Sequence, residues 1–254
     1  MSEGGRRQSP RRSDSGVTLL ELLVAVSLVS LLSTGILMAL RVGINAMEKT
    51  NNRLLDNRRV TAVQRILEQQ VAGLMPVVAD CQSGPAAPPA RILFFQGAPQ
   101  TMRFVSSYSL EEGARGYPRI LEYQVLPTET LDAVRLVVNE LLYWGPASTG
   151  ALCLGPNPER PGILFRPVEA GPQSFVLADR LAFCRFSYLE RLPPPAPGRW
   201  AAAWTRPDLP AAIRVEMARK DEDPGRLPLL TATLAVRVTK LPGLVYADEL
   251  YLGQ

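Results

Sequence analysis

The 254-residue sequence contains no histidine. Histidine is the general base of Ser-His-Asp and Cys-His sites and the commonest zinc ligand, so its absence excludes those arrangements. The sequence also has no glycine-rich phosphate-binding loop of the Walker or dinucleotide type. The formal net charge is +4, but the arginines are scattered and form no basic stripe interleaved with aromatic residues. We therefore expect a protein without catalytic activity, without a cofactor and without a nucleic-acid partner.

One short acidic run deserves comparison with calcium sites. Asp221, Glu222 and Asp223 are consecutive and precede a Pro-Gly pair. A calcium-binding loop supplies further oxygen ligands at regular spacing, and this segment does not. The sequence therefore favours a solvated turn at this position over a metal site.

The longest apolar run occupies residues 17–40, and its only charged residue is Glu21. At about 1.5 Å per residue a helix of this length spans about 36 Å, which exceeds the roughly 30 Å of a hydrocarbon core. The run is predicted to be a transmembrane helix. An ionisable residue inside such a helix is costly, so Glu21 is a candidate functional residue.

A basic leader, residues 1–16, precedes this run and ends at Gly16. In an ordinary secretory signal the small residue at the cleavage site follows the apolar stretch. Here it comes first, so cleavage after Gly16 would remove only the leader and keep the apolar helix on the mature chain. The four leader arginines place the N-terminus in the cytoplasm and everything after Leu40 across the membrane.

A small residue that ends a basic leader, followed by an apolar helix with a carboxylate one turn in, resembles the processing site of type IV pilins and type II secretion pseudopilins. The resemblance implies cleavage by a prepilin peptidase after Gly16 and N-methylation of Val17. It also implies that Glu21 pairs with the N-terminus of a neighbouring subunit during assembly. Val17 departs from the phenylalanine that is more common at this position in the family. The alternative is a plain signal anchor in which Glu21 has no role.

The helical pattern continues beyond the membrane. Val60, Val63, Leu67, Val71 and Leu74 recur at steps of three and four, which places them on one stripe of a helix that Gly73 and Pro76 end. Residues 41–75 are therefore predicted to continue the transmembrane helix. Residues 76–254 alternate apolar and polar residues between proline-rich loops, which indicates a β-rich head. The predicted strands are 91–95, 101–106, 120–126, 134–144, 163–166, 181–189, 213–217 and 230–239.

This order predicts an α+β, pilin-like fold, in which a long N-terminal helix packs on a mainly antiparallel β-sheet. Later segments resemble the minor pseudopilin J family of type II secretion. They are the strand 183–188, the tryptophans Trp200 and Trp204, and a Leu-Pro pair at 209–210 before an apolar strand. The resemblance implies a non-catalytic, single-pass protein of the bacterial inner membrane with a periplasmic head. It would assemble at the tip of the periplasmic pseudopilus with I-like and K-like minor pseudopilins and the major pseudopilin.

Two other functions remain open at this point. A minor pilin of a type IV pilus or DNA-uptake filament would share the same N-terminal features. An anchored periplasmic binding protein or enzyme would require a catalytic or ligand-binding constellation, and the sequence contains no recognisable one.

The three cysteines would lie in an oxidising compartment and allow three pairings. Cys81 and Cys153 lie in loop-like sequence, whereas Cys184 lies in a predicted strand, where a small buried hydrophobic residue is expected. The sequence favours a disulfide between Cys81 and Cys153 and leaves Cys184 free and buried.

Overall fold

The computed structural model describes residues 17–82, 89–157, 162–193, 195–220, 229–238 and 242. The chain divides into two compact units, and the division falls after Leu54. The acidic run 221–223 and the residue Gly16 lie outside the described residues.

A single helix, α1 (Leu19–Ala72), crosses the division between the units. In the second unit the predicted stripe faces the sheet: Val63, Leu67 and Val71 are buried and Val60 is half-buried. The helix ends at Ala72 because the chain turns at Gly73 directly into a strand. A methyl group added to Gly73 would lie 2.7 Å from Ser106 Oγ, so only glycine fits this turn without a shift.

The strands of the second unit are short at its start and long in its centre. They are β1 (Leu74–Met75), β2 (Val78–Cys81), β3 (Ala90–Leu93), β4 (Gln96–Gly97), β5 (Thr101–Ser109), β6 (Ala114–Pro127), β7 (Val134–Leu142), β8 (Cys153–Pro156), β9 (Ile163–Phe165), β10 (Phe175–Glu190), β11 (Arg199–Ala201), β12 (Ala212–Arg219) and β13 (Leu229–Ala235). A short helix, α2 (Pro146–Gly150), follows β7.

Nine of the described strands form one antiparallel sheet. Its order is β1-β5-β6-β7-β10-β12-β13, with β4 beside β5 and β11 beside β10. Two further antiparallel pairs, β2-β3 and β8-β9, stand apart from it. The fold is therefore α+β and pilin-like, a long N-terminal helix with a mainly antiparallel sheet, as the sequence predicts.

Two apolar clusters cover the two faces of this sheet. The larger lies between the sheet and the last turns of α1, and it includes Cys184, Phe186 and Tyr188, which are alternate residues of β10. The smaller includes Ile120, whose neighbour in the strand, Leu121, belongs to the larger cluster. Successive residues of a strand point to opposite faces, so the two clusters lie on opposite sides of the sheet.

The structure departs from several of the predicted strands. Strand β6 begins at Ala114, six residues before the predicted 120–126, and β7 ends at Leu142, two residues before the predicted end at 144. Cys81 and Cys153 lie at the ends of the short strands β2 and β8, and not in loops, because each of these strands pairs locally outside the main sheet. The predicted strand 230–239 ends at Ala235, and 236–238 continue without strand pairing. Strand β10 begins six residues earlier than predicted, because its first part pairs with β7 through irregular register.

Candidate functional site

The start of α1 carries the residues that the sequence singles out. Leu19 is the first helical residue, Val17 is 70% exposed, and Glu21 lies in the first turn. The backbone N–H of Glu21 donates a hydrogen bond of 3.3 Å to Thr18 Oγ1. Thr18 therefore occupies the N-cap position, where its hydroxyl satisfies one of the N–H groups that the first helical turn leaves unpaired.

Thr18 was not among the predicted functional residues, although a local signal identifies it. A threonine followed three residues later by a glutamate is the pattern of a capping box. The positive end of the helix dipole also favours a carboxylate in the first turn. The Glu21 carboxylate therefore interacts favourably with the helix N-terminus, in addition to the assembly role that the resemblance implies for it.

The part of α1 that follows is apolar, and its side chains are exposed. A stretch of 33 residues, Leu19–Asn51, has the length and composition to cross a membrane, and its most apolar window has a mean hydropathy of 2.3. Within the described residues, none of this most apolar part is buried. Many large apolar side chains on it, such as Leu31 and Leu37, are more than 60% exposed. This stretch includes the predicted segment 17–40 apart from Val17 and Thr18, and it extends farther along the chain.

The far end of α1 is attached to the sheet by a buried polar network centred on Gln70. The side chain of Gln70 accepts a hydrogen bond from the hydroxyl of Tyr123 and donates one of 3.3 Å to Oε1 of Glu140. The backbone carbonyl of Gln70 accepts a hydrogen bond of 2.8 Å from the hydroxyl of Ser106. Complete burial and the nearby Glu140 carboxylate raise the pKa of Tyr123 well above its ordinary value.

Glu140 also organises the β5–β6 turn. Its carboxylate accepts hydrogen bonds from the backbone N–H of Leu110 at 2.6 Å and from the hydroxyl of Ser109 at 2.7 Å. One carboxylate thus joins the last turns of α1, strand β7 and the β5–β6 turn. The sequence does not predict this network, because its members lie up to 70 residues apart and meet only through the sheet register.

A disulfide links Cys81 and Cys153, the pair that the sequence favours, with 5.4 Å between their Cα atoms. Helix α2 packs against the same strand as Cys81. A methyl group added to Gly150 would lie 2.4 Å from the carbonyl oxygen of Asp80, and Thr149 Oγ1 donates a hydrogen bond of 3.1 Å to the carbonyl of Val78. The bond therefore ties two local strand pairs and a helix into one compact region on the face of the sheet away from α1.

Cys184 is free and buried in the larger apolar cluster. Burial raises the pKa of its thiol to about 12. A thiol with this pKa stays protonated near neutral pH and is a poor nucleophile. Among the described residues, no group of three or more His, Cys, Asp or Glu side chains has the arrangement of a metal site.

Comparison with known proteins supports the N-terminal features alone. No curated protein matches the chain. Residues 11–37 match the family described as the prokaryotic N-terminal methylation motif. The match includes Gly16, Val17, Thr18 and Glu21, and it implies processing by a prepilin peptidase and assembly into pilin-like filaments. The capped start of α1, its apolar and exposed first half and this match together identify the N-terminus of the chain as that of a type IV pilin-like protein.

Proposed function

We propose that the protein is a minor pseudopilin of a type II secretion system, similar to pseudopilin J, at the tip of the periplasmic pseudopilus. The observation that carries the proposal is the methylation motif over residues 11–37, with Glu21 in the first turn of a long exposed helix. A tip subunit acts by assembly and not by catalysis. Its role would be to help the filament drive folded proteins through an outer-membrane channel.

The proposed topology is a single pass through the inner membrane. The leader and its arginines remain in the cytoplasm until a prepilin peptidase cleaves after Gly16 and Val17 is N-methylated. The head then lies in the periplasm. The disulfide between Cys81 and Cys153 supports this orientation, because structural disulfides persist in oxidising compartments such as the periplasm.

The proposed role of Glu21 is to neutralise the N-terminal amine of a neighbouring subunit. A carboxylate within a hydrocarbon environment is costly unless it is paired. In the described part of the chain the Glu21 side chain has no ion-pair partner, and its backbone N–H contacts Thr18 alone among side chains. An amine supplied by another subunit would remove that cost and would select correctly processed neighbours.

The size and loops of the head support the proposed position at the tip. Its polypeptide comprises the nine-stranded sheet, two additional strand pairs and proline-rich connections. Protruding loops must be accommodated at every repeat along a filament, so such a head makes a poor major subunit. We expect low abundance relative to a shorter major pseudopilin. The expected partners are the I-like and K-like minor pseudopilins.

Crosslinking of the full-length protein in native membranes, followed by mass spectrometry, tests this proposal. The expected products join this head to the I-like and K-like heads, through interfaces that bury about 1,200–2,000 Å². Crosslinks to the subunits of a retractable pilus or DNA-uptake filament instead would show that the chain is a minor pilin. A head that crosslinks to no pilin-like subunit would contradict both filament functions and favour an anchored binding protein or enzyme.

A further inference from the structure

An apolar groove lies beside residues 59–66 of α1, where they pass the first part of β10. Its volume is about 460 Å³, enough for several side chains. The register of β10 against β7 shifts twice in this part, between Val176 and Leu181. Irregular register bends a strand, so β10 and the helix leave a space between them. The apolar lining of the groove includes Val60, Val63, Ile66, Leu181 and Met217.

The charged lining of the groove is mainly basic. Arg59, Arg180 and Arg219 border it, together with the acidic residue Asp179. Arg180 has a positive φ of 52°, a conformation that is costly for residues other than glycine. The backbone N–H of Lys220 donates a hydrogen bond of 3.1 Å to the carbonyl of Arg180 and helps to fix this conformation. Strain of this kind concentrates where a protein binds something, so the groove is a candidate binding site.

Residues 244–252 lie outside the described residues, and their sequence complements the groove. Asp248 and Glu249 are adjacent, and the segment contains no basic residue. Carboxylates form strong charge-assisted hydrogen bonds with arginine, and apolar side chains gain free energy when a groove removes them from water. The large apolar residues of the segment are Leu244, Val245, Tyr246, Leu250, Tyr251 and Leu252.

The described chain ends its last strand within reach of the groove. The backbone N–H of Val236 donates a hydrogen bond to the carbonyl of Ala211, so the chain at this point lies beside the start of β12. Val236 and Val238 pack against the larger apolar cluster, which lies on the α1 side of the sheet. Met217 is about 20 Å farther along β12 than Ala211. The stretch from Val238 to Asp248 can extend to about 33–36 Å, so it spans that distance.

We propose that residues 244–252 bind in the groove of the same chain. Their apolar side chains pack against α1 and β10, and the carboxylates of Asp248 and Glu249 meet the three arginines that border the groove. Charge complementarity and chain length together select this occupant. While the segment is bound, the groove is closed to any other protein. The inference concerns the head alone, and it does not depend on which filament the protein joins.

Disulfide crosslinking within the full-length chain in native membranes tests the proposal. Cys184 is replaced by alanine, and A62C is combined with V245C or with L250C. Ala62 is exposed and lines the groove. After treatment with a thiol oxidant, the linked peptides are measured by mass spectrometry. At least one of the two combinations should yield about tenfold more product than the same combination built on Q64C, because a bound segment holds its cysteine at a high effective concentration near position 62.

Q64C is the matched control for A62C. Gln64 lies two positions along the same helix, but at 100° per residue it is about 200° around the axis, on the side away from the groove. Equal product from Q64C and A62C would overturn the proposal. Co-expression of A62C on one tagged chain and L250C on another reports binding between chains. A product that joins the two tags in preference to the product within one chain would overturn it as well.

Removal of residues 244–254 provides a second test. A62C in the native protein should then react with a bulky maleimide about fivefold faster, the factor for a groove that is occupied about four-fifths of the time. The rate for Q64C should stay the same. The shortened chain counts as folded when it keeps the disulfide between Cys81 and Cys153 and a cooperative melting transition. A folded variant in which A62C reacts no faster would contradict binding of the segment.

Charge reversal tests the role of the carboxylates in the chain of full length. D248K/E249K should lower the yield of the A62C product by about fivefold, the factor that an ion pair of ordinary strength supplies. Addition of R180E should recover part of the product, because opposite charges meet again. R91E is the control, since Arg91 is an exposed arginine on β3 that does not line the groove, and it should recover none. Equal recovery by R91E and R180E, or recovery by neither, would overturn the proposal.

Discussion

Thr18 and Glu21 are joined at the start of α1, where the N–H of Glu21 donates to the hydroxyl of Thr18 at 3.3 Å. The cap is therefore supplied by the Thr18 side chain, whereas the Glu21 carboxylate interacts with the helix dipole and has the proposed role in docking. Loss of an N-cap side chain costs about 0.5–2 kcal/mol of helix stability, and that cost is unrelated to docking. Substitutions at the two positions distinguish the roles.

The first prediction concerns function. Glu21→Ala and Glu21→Gln should leave processing and membrane insertion intact and abolish secretion or filament assembly, because neither side chain neutralises an amine. Thr18→Ala is the matched control: it removes the cap, keeps the carboxylate and should retain most of the activity in a secretion assay. Full activity of Glu21→Gln would show that the carboxylate is not required for docking.

The second prediction concerns processing. The intact mass of the mature protein should correspond to a chain that begins at Val17 and carries one additional methyl group. Gly16→Val should block cleavage, because a branched side chain replaces the small residue before the cut. A mature chain that begins at Met1, or at a residue beyond Leu40, would exclude pilin-type processing.

The third prediction concerns the disulfide. Non-reducing peptide mapping should recover Cys81 linked to Cys153. Replacement of both by serine should lower the free energy of unfolding by about 2–4 kcal/mol, since the bond closes a long loop of the unfolded chain. Cys184→Ser serves as the control for loss of a cysteine without loss of the bond. A peptide that links Cys184 to either of the others would refute the pairing.

The fourth prediction concerns Cys184 and pH. Burial raises the pKa of its thiol to about 12, from about 8.5 in an unfolded chain. Folding therefore favours the protonated thiol. The resulting stability is fully present below about pH 8.5 and is lost as the pH rises toward 12. Between pH 8 and pH 10 the wild type should lose about 1–2 kcal/mol relative to Cys184→Ala. At pH 8 the thiol should react with iodoacetamide only after unfolding, and rapid labelling of the native protein would contradict its burial.

The fifth prediction concerns the network around Gln70. Gln70→Ala should lower the free energy of unfolding of the protein by about 1–3 kcal/mol, because it leaves the buried hydroxyl of Tyr123 without its partner. Gln64→Ala is the matched control: in the described part of the chain its amide donates a hydrogen bond to Glu68, one turn along the same helix, and none to the sheet. Equal melting temperatures for the two variants would show that the network does not secure the helix to the sheet.

The sequence predicts those parts of the molecule that depend on neighbouring residues. The helix ends at Ala72, three residues before the predicted end at 75, and Leu74 lies in β1 and not on the helix; the glycine and proline expected to end the helix do follow directly, at Gly73 and Pro76. The start of β10 was missed, since residues 175–180 lack regular alternation and Arg180 has a positive φ of 52°. Strand β4 has two residues, too few for any period to appear, and it forms through packing of Gly97 against Tyr188 and Trp204.

The residues of the candidate site likewise include some that the local sequence predicts and some that it does not. Gly16, Val17 and Glu21 stand out because a leader, a boundary and an isolated carboxylate are adjacent in the chain. Thr18 can be predicted from the same segment, because a threonine three residues before a glutamate is the spacing of a capping box. Gln70 and Glu140 were not predictable, because the contact between residues so far apart is fixed by the pairing of β5, β6 and β7.

The covalent link between Cys81 and Cys153 also sets how far the head can be stretched. The two cysteines are 72 positions apart, and strands β3 to β7 lie between them. Fully extended, a segment of that length would reach about 240–260 Å. In the oxidised protein this contour length is unavailable to a force applied at the chain ends. A pulling force on the head would therefore not extend the segment between the two cysteines, which contains strands β3 to β7, until the bond is reduced.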